Sequence, residues 1–236
     1  MNSDTNKYYS KYLKYKNKYI NLKNDLEGGV SLITPKIKKL SNERHVIVFS
    51  GPSGVGKGKI IRELDKIYSN RVIVATSHTT RKQRPGEING KEYFFVSKEE
   101  MKKLIDSKEI FEHVEFFGDI YGTSFTNVNN ILNNKRIPLL KMGSRGARLI
   151  KDNLDELQER FNAKISFIFI KPESLESLEK KLRKKGTKTE EQIKWVLKNA
   201  EVEMENSEHP GLYDLVTENK NSKETAEEII TFLRNL

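Results

Sequence analysis

The chain has 236 residues, enough for one sizeable α/β domain with an appendage. It carries a formal net charge of +10, with 36% hydrophobic and 32% charged residues and no cysteine, which excludes disulfides, thiolate metal sites and cysteine nucleophiles. No run approaches the roughly 20 apolar residues that span a bilayer, and the N-terminus lacks the apolar core of a secretory signal, so a soluble cytoplasmic protein is expected.

The charge is unevenly placed. Residues 1–40 hold nine lysines against Asp4, Asp25 and Glu27, leaving the remainder only mildly basic. That balance suits small phosphate-bearing ligands and gives no argument for nucleic acid. In this leader Tyr8, Tyr12, Tyr15, Tyr19, Leu22 and Leu26 are spaced four and three apart, an apolar seven-residue repeat on one face of a helix over 8–26. Gly28 and Gly29 end it. The repeat is short, and three readings stand: a solvated tail, a helix for self-association or a partner, and a membrane-surface helix.

A domain is expected over 41–236. His45 to Ser50 is continuously apolar and reads as a buried parallel strand. After a glycine-rich turn, Ile60, Ile61, Leu64 and Ile67 predict a helix over Lys57–Tyr68. Strands are expected over Arg71–Thr76 and Lys91–Ser97, helices over 98–107 and 124–134, and strands over Ile137–Met142 and Lys164–Ile170. Pro172 is expected to open a helix reaching about Lys184, since proline suits a first helical position. Gly186 breaks the pattern. Thr189 to Asn206 is helical, with Thr189 and Gln192 as a capping box. Tyr213–Glu218 reads as a last strand and 223–236 as a closing helix. Strands alternating with helices predict a parallel sheet flanked by helices.

Two segments carry chemistry. Gly51-Pro52-Ser53-Gly54-Val55-Gly56-Lys57 stands between strand and helix and satisfies the phosphate-loop pattern. Its glycines let backbone N–H groups wrap round phosphates, the helix start adds partial positive charge, and Lys57 reaches the β/γ-phosphates. The hydroxyl residue that should follow the lysine is Gly58, and Lys59 comes next, so magnesium is expected to be held by water and nucleotide. The second segment runs from Ser77 to Tyr93. Arg81 and Arg84, three apart in a loop turned by Pro85 and Gly86, suit a bidentate phosphate clamp, with Tyr93 adding a phenolic hydrogen bond. An ordinary charged loop is the alternative. His45, His78, His113 and His209 have no metal-ligand spacing, and no metal site is expected.

The second segment, together with Phe111 to Thr123, resembles the monophosphate-binding signature of the guanylate kinase family, and the resemblance covers 44–236. It implies the P-loop kinase fold: a parallel core sheet flanked by helices, a small GMP-binding insertion near 77–127 and a helical lid over 181–196. It assigns Glu112, Thr123 and Ser77 to the guanine, and Arg81, Arg84, Tyr93 and Tyr121 to the GMP phosphate. Guanine presents N1–H and N2–H₂ donors that one carboxylate can accept together, which adenine does not. ATP and GMP are the implied substrates, with ATP on residues 51–58. The leader is similar in composition to leaders on some large DNA virus proteins, which would place the chain in host cytoplasm.

The family pattern is incomplete. An acidic run of the form Leu-Asp-x-Asp-x-x-Gly is replaced by Leu140-Lys141-Met142-Gly143-Ser144-Arg145-Gly146. The three lid arginines align with Lys181, Lys185 and Val196, and lysine supplies charge without the planar fork. Asn219 matches a family Asn. Lys57, Arg81, Lys181 and Lys185 are the expected catalytic set. Three readings follow: transfer from ATP to GMP, a catalytically impaired module that reads GMP or a phosphorylated partner, and a kinase for another monophosphate, against which Glu112 argues.

Overall fold

The computed structural model describes residues 44–68, 71–208 and 211–235. The expected leader helix over 8–26 lies outside the described residues. Five strands form an all-parallel sheet in the order β2 (Val72–Val74), β7 (Ile137–Lys141), β1 (His45–Ser50), β8 (Lys164–Pro172), β9 (Leu215–Asn219). Central β1 is buried along its whole length. Its alternate residues serve two cores: Ile47 and Phe49 face one side, Val46 and Val48 the other. A sheet covered on both faces needs this continuous apolar run, because neither face meets water.

The first face is covered by α1 (Lys57–Tyr68), α6 (Leu175–Lys185), α7 (Glu190–Glu208) and α8 (Ser222–Leu233). The second is covered by α3 (Phe125–Asn133), α4 (Ser144–Asp152) and α5 (Leu154–Phe161). Inserted between β2 and α3 is a four-stranded mixed sheet, order β4 (Phe94–Phe95), β3 (His78–Thr79), β6 (Asp119–Ser124), β5 (Ile110–Phe116), with α2 (Lys98–Asp106) beside it. Among the described residues no helix is long and apolar enough to cross a membrane.

Several expectations need correction. Pro172 does not open a helix; it is the last residue of β8, in register with Asn219. The helix starts at Leu175 because Ser174 caps it, in a reciprocal box with Ser177. The strands expected over 71–76 and 91–97 shrink to 72–74 and 94–95, since the chain leaves the sheet to build the insertion. Helices α4 and α5 and the β5–β6 hairpin had no place in the chain-order reading. The box at Thr189 and Gln192 is formed, with backbone-to-side-chain bonds of 3.2 and 3.3 Å.

Candidate active site

The phosphate loop begins where β1 ends, at the carboxyl edge of the parallel sheet, where open α/β sheets leave a crevice. Gly51, Gly54 and Gly56 all have positive φ. Gly56 shows why: a Cβ there would collide with the Asn219 side-chain amide. That amide donates to the Val55 carbonyl at 2.6 Å, tying the loop to the end of β9. Helix α1 then starts with no acidic residue in its first turn, so its N–H groups and partial positive charge stay available to an anion. The Lys57 ammonium folds back to the Gly51 and Pro52 carbonyls. Burial lowers its pKa to about 8; Glu203 opposes that shift and Lys141 adds to it. Gly58 and Lys59 are exposed and bring no hydroxyl.

The small sheet gathers the acceptor residues into two groups. In the first, Glu112 on β5 is only 6% exposed and is register partner of Thr123 on β6. Thr123 Oγ1 donates to Glu112 Oε1 at 2.6 Å, and the Ser77 hydroxyl lies 3.4 Å from Thr123 Oγ1. Burial raises the Glu112 pKa to about 7, against the pull of the Thr123 hydrogen bonds. Gly146 on α4 faces the other oxygen: a Cβ there would stand 3.0 Å from Glu112 Oε2.

In the second group the Arg81 guanidinium lies 5.4 Å from the centroid of the Tyr93 ring, and Tyr93 meets Tyr121 edge-on at 5.7 Å. Glu87 grips the Arg81 fork at 2.9 and 3.0 Å and also accepts the Arg84 backbone N–H at 2.8 Å. The Arg84 residue itself is exposed. Glu87 lies within the Ser77–Tyr93 segment and has no expected role there; its place three residues after Arg84, in a turn at Pro85-Gly86, was the available signal.

The lid residues do not converge as the alignment implied. Lys181 is exposed on α6, whereas its neighbours Leu178 and Leu182 pack against Gly54 of the phosphate loop. Lys185 ends α6 close enough to Lys141 to lower its pKa, after the larger effect of burial. Val196 is 3% exposed and belongs to the main core. Arg183 offers no substitute fork, because it is bound to Glu190 at 2.7 Å twice and to Glu179 at 2.8 Å. Trp195, beside Val196, instead meets Phe116 and Phe117 of the β5–β6 turn at centroid distances of 4.9 and 5.2 Å.

A family model for guanylate kinase matches residues 43–236. The chain is 41% identical over 170 residues to guanylate kinase from Sus scrofa, covering 72% of this chain and 82% of that protein. It is 36% identical over 197 residues to guanylate kinase from Prochlorococcus marinus, covering 83% of this chain and 100% of that protein. Among solved structures, guanylate kinase from Anaplasma phagocytophilum is similar with a TM-score of 0.62 at 30% identity, over 84% of this chain and 88% of that one.

Proposed function

Because the chain belongs to the guanylate kinase family, we infer that its guanylate kinase-like function is transfer of a phosphoryl group from ATP to GMP, giving ADP and GDP. One observation carries the choice of acceptor: a buried carboxylate, Glu112, held by Thr123 with Ser77 adjacent. Ionised, it accepts the two guanine donors together, and a buried acceptor left unmatched by another base is costly.

Arg81, Tyr93 and Tyr121 take the GMP phosphate, with Glu87 fixing the Arg81 plane and Arg84 approaching from the loop rim. The phosphate loop, residues 51–58, holds the ATP phosphates through backbone N–H groups, and Lys57 swings from the loop carbonyls to the β/γ-oxygens. Lys141 and Lys185, the second of which adds to the lowering of the first by burial, add positive potential where charge spreads during transfer, and Lys181 contributes from the lid surface. The nucleophile is a phosphate oxygen of GMP itself: its bond to the γ-phosphorus forms as the bond to ADP breaks, so no covalent enzyme intermediate is required. Magnesium fits here as an ion carried by the nucleotide: Gly58 offers no hydroxyl, and among the described residues no group of three His, Cys, Asp or Glu could hold a metal. Bound with ATP, it supplies neutralisation of phosphate charge.

The test is GDP formation from ATP and GMP with Mg²⁺, with Lys57→Ala prepared in parallel to expose contaminating kinase. Turnover of about 1–100 s⁻¹ that disappears in the variant is expected. A folded protein that binds GMP yet makes no more GDP than Lys57→Ala overturns the transfer reading and leaves a GMP-binding module.

A further inference from the structure

Gly143 is the N-cap of α4 and has no side chain with which to cap it. The space such a side chain would enter is filled from another element. A Cβ on Gly143 would stand 3.8 Å from Oε1 of Glu203, which lies on α7, sixty positions further along the chain. Ser144, the first residue of α4, brings a hydroxyl and a backbone N–H that favour the ionised form of that carboxylate, against the larger effect of burial. A carboxylate suits the place, since the first turn of a helix has unpaired N–H groups and partial positive charge. Glu203 Oε2 is buried and has no hydrogen-bond partner. The cations acting on Glu203 are Lys57 of the phosphate loop and Arg145 of α4. Around Lys57, the charged groups are Glu203 from α7 and Lys141 from β7, one anion and one cation. The segment 141–146 is Lys-Met-Gly-Ser-Arg-Gly and contributes no carboxylate of its own.

We propose that Glu203 is a positioning residue for phosphoryl transfer in this chain, one carboxylate oxygen standing at the start of α4 and the buried, unpartnered other supplying the negative charge that draws Lys57 as it leaves the loop carbonyls. The proposal rests on the ATP-dependent reading of the site. It would link α7 to the loop that cradles the triphosphate, from a place beside residue 143. Without the carboxylate, Lys57 faces Lys141 alone, which repels it.

The experiment separates the charge from the cap. Glu203→Gln keeps an acceptor for Ser144 and removes the negative charge. ADP affinity is measured by calorimetry from about pH 6 to 9, together with kcat and KM for ATP and the melting temperature. In the wild type, ADP affinity falls as pH rises through about 8, where free Lys57 loses its proton. In Glu203→Gln that fall should begin about one pH unit lower, kcat should drop by up to about 10²-fold, and the melting temperature should change little. A second pair of variants starts from Glu203→Ala. Adding Gly143→Asn restores a neutral helix cap and should recover thermal stability alone. Adding Gly143→Asp restores cap and charge and should recover the ADP pH profile as well. If Glu203→Gln leaves the pH profile of ADP affinity unchanged, or if Gly143→Asn recovers it, Glu203 is only a cap and the proposal is overturned. If the wild type binds ADP but transfers nothing to GMP, the transfer reading fails separately, and the ADP profile still decides whether Glu203 holds Lys57.

Discussion

At the scale of single residues, Glu112 has the most direct consequence. Its pKa is raised to about 7 by burial, and the guanine contact proposed for it needs the ionised form. kcat/KM for GMP reports the free enzyme, so it should climb as pH rises and level off above about pH 7. Glu112→Gln should flatten that acid limb and lower kcat/KM for GMP by about 10–100-fold, because a buried charged partner is removed from a matched pair. An acid limb that survives in Glu112→Gln would assign it to another group. The same shift has a stability sign. The folded pKa lies above the unfolded value of 4.5, so the contribution is fully present below that value and is lost as pH rises through about 7. Urea unfolding of the wild type and Glu112→Gln at pH 4.5 and above about pH 7 reads the difference. Ser77, Thr123, Arg81 and Tyr93 are residue types whose chemistry points to a base edge or a phosphate. Their grouping around Glu112 and Tyr121 is produced by the register of β5 on β6 and of β3 on β6.

At the scale of elements, how easily each was read depended on how much of its pattern was local. β1 and α1 were readable because burial on two faces and on one stripe leave different periodicities. The β5–β6 hairpin was not, because its turn is Phe117-Gly118, both with positive φ, where Asn-Gly or Asp-Gly would have announced it. Helices α4 and α5 did leave a signal in Ile150, Leu154, Leu157 and Phe161, spaced four, three and four apart, three of them buried. The start of α6 was set by Ser174, a local hydrogen bond that outweighs the preference of Pro172 for a first turn. Phe116 at the end of β5, Phe117 of the turn and Trp195 join the small sheet to α7, and aromatic pairs of this kind are worth about 0.5–1.5 kcal/mol beyond burial. Trp195 is the only tryptophan in the chain, so its fluorescence reports the surroundings of this one ring, in which the Arg145 guanidinium also lies, 5.8 Å from the centroid. Phe116→Ala should shift the emission of the nucleotide-free protein to the red, as the ring gains water. Emission unchanged from the wild type would mean that the contact does not shield Trp195 in solution.

At the scale of the whole molecule, two apolar layers clamp one sheet, and the insertion is attached to the second layer by aromatic contacts. Phe161 of α5 meets Phe111 of β5 at 5.3 Å and Phe125 of α3 at 5.2 Å. It is fully buried, at 1% exposure. Phe161→Ala should therefore cost about 3–5 kcal/mol of stability, seen as a lower midpoint in urea, and should also raise KM for GMP, since β5 carries Glu112. A stability loss with an unaltered KM would show that the insertion keeps its geometry without this anchor. By itself the sequence determined the α/β class, the glycine-rich loop at the end of β1 and the residue types proposed for the acceptor site, because these depend on periodicity, glycine placement and side-chain chemistry within short stretches. Only the tertiary structure decided that Val196 belongs to the core, that Arg183 is spent on Glu179 and Glu190, that Gly146 must stay small against Glu112, and that Glu203 reaches residue 143. Each of these depends on which elements meet across the cleft, and contacts between residues distant in the chain leave no periodicity to read.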